Sequence, residues 1–163
     1  MRKRVRAAAV TALGAAAVVA AVGIPAGTAA AAVPLCSSAQ LRPALDHTEG
    51  AAGHFYYVYR FTNVGNTCNS QGWVGEQLFG TDGRPLPTHP TRQGVSPSVV
   101  TLAHNARAIW AFGYTNPSII NCIPTKSAAL TITPPGNVVP VFSTHSFSPC
   151  NGQFLVYPLQ HSY

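Results

Sequence analysis

Carboxylates are scarce in this chain: Asp46, Glu49, Glu76 and Asp82 are the only four in 163 residues. A glycosidase-type acid and base need two carboxyl groups flanking one bond, and no two of the four stand out as such a pair. Asp82 reads as a turn residue, Asp46 and Glu49 flank a reversal near Gly50, and Glu76 falls in a candidate strand whose outward positions are expected to be polar. The chain also lacks a G-x-S-x-G elbow, an H-E-x-x-H pair, a P-loop and a dinucleotide fingerprint. Its six histidines (His47, His54, His89, His104, His145 and His161) never fall at i, i+2 or i, i+4, which removes a local metal platform. No catalytic, cofactor-binding or metal-ligating residue is assigned, and the protein is expected not to be an enzyme. Asn116-Pro117-Ser118 has proline in the middle of its triplet, so it is not a glycosylation acceptor.

Long apolar runs are missing after residue 32. The one long run comes before it. Arg2, Lys3, Arg4 and Arg6 precede an Ala/Val-rich stretch from Ala7 to Ile24; Pro25 and Gly27 then break it, and small residues follow to Ala32. That order of charge, apolar helix and small-residue site reads as a secretory signal peptide over residues 1–32, with cleavage near Ala30 to Ala32. No Arg-Arg pair precedes the run, as a twin-arginine signal requires. Cys36 follows the bulky Leu35, where a lipid-modified cysteine would follow a small residue. The expectation is a product secreted or retained at the cell wall, with no membrane association after cleavage.

Basic clusters are missing too. Four of the ten Lys and Arg residues lie in the signal, so six bases against four acids leave residues 33–163 at +2. Those six bases are scattered singly, unlike the basic patch of a nucleic-acid surface. Residues 33–163 suit one domain.

Helical periodicity is nearly absent from that domain. Thirteen of the chain's fourteen prolines and eleven of its fourteen glycines punctuate short runs there rich in β-branched and aromatic residues, the pattern of strands and turns. From His54 to Thr62, Phe55, Tyr57, Tyr59 and Phe61 fall on one face, and His54, Tyr56, Val58 and Arg60 on the other. Arg107 to Tyr114 places Ala108, Trp110, Phe112 and Tyr114 together, and Lys126 to Thr133 does the same for Ala128, Leu130 and Ile132. These faces read as core, whereas Tyr56 and Arg60 are expected to be partly exposed. Further strands are expected at Gln40 to His47, Trp73 to Gly80, Ser98 to Ala103, Val138 to Thr144 and Gln153 to Tyr157. Asp82-Gly83 can supply the positive φ values of a tight hairpin, and Pro134-Pro135-Gly136-Asn137 gives another reversal. Gly83 to Pro97 reads as an irregular, mobile surface connection. About eight short strands argue for an all-β, antiparallel β-sandwich, immunoglobulin-like in architecture. The intersheet cysteine bridge over a tryptophan is not matched, because Cys68 and Trp73 stand too close in sequence.

The four cysteines, Cys36, Cys68, Cys122 and Cys150, are even in number, far apart in sequence and without histidines at ligand spacing, so disulfides are expected rather than a metal site. Cys36 precedes the first strand and Cys68 follows the second. Cys122 precedes Lys126 to Thr133, and Cys150 follows Val138 to Thr144. If each strand pair is antiparallel, both bridges close the open end of a hairpin. The expected pairs are therefore Cys36–Cys68 and Cys122–Cys150, each stabilising by about 3 kcal/mol.

These features also carry a family resemblance. Cys36 with Leu41, the strand ending Phe61-Thr62-Asn63-Val64-Gly65, Cys68, Gly72-Trp73-Val74, Asp82-Gly83 and Thr101-Leu102-Ala103 make up its first half. Ala108 with Trp110, Cys122, Leu130-Thr131-Ile132 with Pro134-Pro135, and Cys150-Asn151-Gly152 complete it. The chain thereby resembles the actinobacterial secreted domain family of unknown function 4232 over most of residues 36 to 158. It departs at Val74 and at His104-Asn105, where members tend to have Pro and Pro-Gly. The resemblance implies a secreted β-sandwich and brings no catalytic residues with it.

A stapled β scaffold without convergent ionisable groups is expected to be a non-enzymatic binding or interaction domain, with an extracellular protein or cell-wall ligand as partner and no nucleic acid. The alternative is a secreted protease inhibitor presenting Arg84 or Arg92 from the Arg84 to Pro97 segment.

Overall fold

The computed structural model describes residues 32–143 and 145–161. The expected signal peptide lies outside the described residues, apart from Ala32. The described residues hold strands and turns and no helix.

The strands β1 (Leu41–Ala51) and β2 (His54–Asn63) form an antiparallel hairpin. Its two-residue turn is Ala52-Gly53, with φ of 46° and 79°, the left-handed pair that matches the twist of the flanking strands. Cys68–Ser70 is β3, Gly75–Phe79 β4, His89–Arg92 β5, Val100–Leu102 β6 and Arg107–Thr115 β7. Ala129–Thr133 is β8, Val141–Ser143 β9, Gln153–Val156 β10 and Gln160–His161 β11. A six-stranded sheet runs β1-β2-β7-β10-β5, with β11 also on β7. The opposing layer is built from β3-β6 and β4-β8-β9.

Alternation in the sequence sets which face is buried. Tyr59, Phe61, Trp110, Phe112 and Val156 of the large sheet join Leu78, Val100, Leu102, Leu130 and Ile132 of the other layer in one core cluster. Trp110 is 1% exposed. Phe147, in the connection before β10, is equally buried and lies edge-on to Tyr57 and Phe112, with centroids 4.8 and 4.7 Å away. Sequence alternation does not single it out, because it lies outside any strand. At one end of the sandwich, Asn63 is wholly buried; its amide donates to the carbonyls of Leu102 (2.9 Å), Ala103 (3.2 Å) and Asn66 (2.9 Å), and its oxygen accepts from Gly65 N–H. Nearby, Asn105 takes φ of 64°, the left-handed conformation that asparagine tolerates better than most residues.

Four expectations need correcting. Phe55, expected in the core with Tyr57, Tyr59 and Phe61, is 38% exposed, near the start of β2 beside the hairpin turn. The Gly83 to Pro97 stretch is not simply irregular, since β5 lies within it and pairs parallel to β10. His89 N–H donates to Gly152 O and Gln93 N–H to Val156 O, at 2.9 and 2.8 Å. Every second residue thus faces β10, and Pro90, which has no N–H, falls on a position that faces away, where an edge strand tolerates proline. This makes β5–β10 parallel where the other named strand pairs are antiparallel; the isolated Leu35–Asn69 bridge is parallel too. At Asp82-Gly83, only Gly83 takes positive φ (73°), and the turn is closed by Gly80 N–H to Arg84 O. Glu76 does not point outward. It shares the inner face of its segment with the buried Val74 and Leu78.

Both disulfides join the expected cysteines, Cys36–Cys68 and Cys122–Cys150. Because β1 pairs with β2 and β8 with β9, each bridge closes the neck of a hairpin. The first is also zipped by backbone, with Cys36 N–H to Asn69 O and Asn69 N–H to Pro34 O, both 2.8 Å. The second sits beside the Pro124–Cys150 bridge, where the chain leaves the large sheet and returns to it.

Candidate functional site

The outer face of the six-stranded sheet is set by strand register. Opposite Tyr56 on β2 stands Gly113 on β7, and opposite Val58 stands Ala111. With no side chain at 113, the Tyr56 ring lies on the sheet: a Cβ there would fall 2.5 Å from Tyr56 Cδ1. Tyr157, following β10, meets Tyr56 edge-on at 6.2 Å, and His54 stacks on its other side at 6.0 Å. Partial burial, and then its neighbour Tyr56, raise the Tyr157 phenol above the ordinary tyrosine range.

Two hollows flank this aromatic line. One, about 240 Å³, lies where β10 departs from β7, and His54, His89, Thr91, Thr115 and Gln153 give it its polar groups. His54 Nδ1 is 3.2 Å from Ala52 O, and its Nε2 is 3.2 Å from Thr115 Oγ1. With Nδ1–H donating to the carbonyl, the Nε2 of the neutral ring accepts from the Thr115 hydroxyl. The other hollow, about 190 Å³, is floored by Val58, Ile109 and Ala111 and walled by Tyr157, Pro158 and Gln160. No Asp, Glu, Lys or Arg lines either hollow. Charge gathers at the β1 edge of the same sheet instead. Arg60 pairs with Asp46, and His47 lies 3.1 Å from Asp46 and 2.8 Å from Glu49. Hydrogen bonds donated to Asp46 and then to Glu49 raise the His47 imidazole above its usual value.

The side of the sandwich holds a different environment. There Val74, Gly75 and Glu76 face Pro90, Arg92 and Val156 across a hollow of about 220 Å³. Glu76 Oε1 is buried without a hydrogen-bond partner. Burial pushes this carboxyl up to about 8, against a weaker opposing pull from the Arg92 charge and from the residue's own backbone N–H. The Arg92 guanidinium lies over the Trp73 ring, 5.7 Å from its centroid, a cation–π arrangement.

Sequence reading singled out Tyr56 and Arg60 as the exposed face of β2, and both lie on that face. It treated Glu76 as a surface carboxylate, because a three-residue inner face of Val, Glu and Leu cannot be told from its neighbours by alternation. Arg84 is exposed beside Asp82, whereas Arg92 belongs to β5 and covers Trp73. Among the described residues, no group of three or more His, Cys, Asp and Glu is placed to hold a metal ion. The described residues hold no helix long and apolar enough to cross a membrane. Two disulfides suit an oxidising compartment.

No curated protein and no solved structure matches the chain. One family does, over residues 36–160, an interval that opens at Cys36 and closes within β11. The chain belongs to the family described as Domain of unknown function (DUF4232).

Proposed function

We propose that this is a secreted or cell-wall-associated, non-enzymatic binding domain, and that the outer face of its six-stranded sheet receives the ligand. One observation carries this reading: Tyr56 lies on the bare backbone of Gly113 with Tyr157 beside it, leaving aromatic surface between two hollows. Aromatic faces bind the C–H faces of sugar rings, and the hydroxyl, amide and imidazole groups of Thr91, Thr115, Gln153, His54 and Gln160 are suited to neutral hydroxyls. With no formal charge lining the hollows, a neutral polysaccharide fits better than an acidic or basic polymer.

The positions of the carboxylates support a non-enzymatic role. Asp46 and Glu49 are engaged with Arg60 and His47 at an exposed edge, Asp82 lies in a turn, and Glu76 faces the side hollow. No carboxylate lines either hollow. Export is supported by the N-terminal sequence and by the two bridges.

The test is co-sedimentation with insoluble glucan, chitin and purified cell walls, comparing wild type with Tyr56→Ala and Tyr157→Ala. Retention of wild type on at least one polymer, reduced about tenfold or more in both variants, is expected. Absence of retention on all three, or retention unchanged in the variants, would overturn the assignment.

A further inference from the structure

The side hollow between β4 and β5 is separate from the outer face and lies between edge strands of the two layers. We propose that it binds a carboxylate group, held between the Arg92 guanidinium and the Glu76 carboxyl. Both residues line the same space. They form no ion pair with each other, and Arg92 has no ion-pair partner among the described residues. The guanidinium lies over Trp73, and stacking there reduces the entropy lost when its planar fork engages a ligand. Glu76 Oε1 is buried and unpartnered on the other wall. A ligand carboxylate placed there accepts from arginine and from a protonated Glu76, satisfying a polar atom that is otherwise orphaned.

The charge balance favours an anion. Glu76 is held in its neutral form at neutral pH by burial, so the hollow carries the single positive charge of Arg92. A ligand ammonium would meet that like charge, whereas a carboxylate meets its complement. The other lining residues, Val74 and Gly75 before β4, Pro90 on β5 and Val156 on β10, bring no titratable group, and Glu76 pairs across β4–β8 with the apolar Ile132. Val74, Pro90 and Val156 supply apolar walls for a short alkyl segment. A volume of about 220 Å³ limits the buried part to a few carbons, which fits a free short-chain acid or the C-terminal carboxylate of a peptide.

Amide NMR spectra of the protein with both disulfides formed test this with sodium butyrate and the tripeptide Gly-Gly-Val. Butyramide and the C-terminally amidated tripeptide serve as controls. At pH 6.5 at least one carboxylate is expected to give saturable shifts around residues 74–76 and 91–92, and neither amide should do so. Which of the two acids binds identifies the source. At pH 9, wild type should bind at least tenfold more weakly, because ionised Glu76 repels the ligand. Glu76→Gln should retain binding at pH 9, since its amide N–H donates to a carboxylate at any pH. Arg92→Gln should lose binding, and Arg92→Lys should keep a weakened fraction of it. The same spectra report whether each variant is folded. Absence of saturable shifts with both acids at pH 6.5, equal binding of the amides, or undiminished binding by Arg92→Gln would overturn the proposal.

Discussion

Tyr56 and Gly113 face each other across β2 and β7 so closely that a Cβ on residue 113 would stand 2.5 Å from the Tyr56 ring and 2.9 Å from the carbonyl oxygen of Phe55. The contact fixes both the ring's resting place and the smoothness of the outer face. Gly113→Ala is therefore expected to lose about 1–3 kcal/mol through overpacking. In a Tyr56→Ala background part of that loss should disappear, since only the backbone clash remains. Urea denaturation of the four proteins of this double-mutant cycle measures the coupling; additive losses would show that the ring is free to move aside.

Asn63 ties the end of β2 to the β6–β7 connection through one side chain making four hydrogen bonds, with no exposure to solvent. Removing it leaves the buried carbonyl of Leu102 short of a donor and takes one from the part-buried carbonyls of Ala103 and Asn66. Asn63→Ala is expected to cost about 2–4 kcal/mol. Asn63→Asp, nearly isosteric but without the amide donors, should fall in the same range. A shift of the urea midpoint in Asn63→Asp no larger than that of an exposed asparagine variant would contradict this.

The two bridges close loops of nearly equal length, with separations of 32 and 28. Chain entropy alone makes them equivalent to within about 0.2 kcal/mol, at about 3 kcal/mol each. Burial separates them, because Cys36 and Cys68 belong to the core cluster and Cys122 does not. Replacing both members of the first pair by alanine should thus destabilise more than replacing the second pair, by about 1 kcal/mol or more of lost packing. Equal midpoints for the two double variants would show that loop closure is the whole effect.

Glu76 gives the domain a pH dependence of defined sign. Its folded-state value, about 8, lies above its ordinary value of 4.5. Between these, the native state keeps a proton that the unfolded chain has released, so this group's contribution falls as pH rises from about 4.5 to 8, by up to about 1.4 kcal/mol per unit. Below and above that window its contribution is level. Glu76→Gln removes the slope, and its advantage over wild type should grow from near zero at about pH 4 to a few kcal/mol above pH 8. Parallel pH profiles for the two proteins would refute it.

Much of this architecture could be read from residue order. Alternation at Tyr57 to Phe61 and Ala108 to Tyr114 identified the two central strands and their buried faces, because a period of two leaves a strand one way to bury its aromatics. Cysteine order relative to those strands identified the disulfide pairs, since antiparallel neighbours bring the start of one strand beside the end of the next. Strand β5 was hidden by Pro90 and the prolines around it, and its pairing depends on a β10 edge more than 60 residues later. The inward turn of Glu76, the bare floor that Gly113 provides for Tyr56, and the meeting of Glu76 with Arg92 depend on register and layer packing. The sequence by itself determined that the domain is all-β, which faces of its central strands are buried and which cysteines join. Only the tertiary structure decided which polar groups share a space, because those contacts link residues far apart in the chain, and local periodicity carries no information about them.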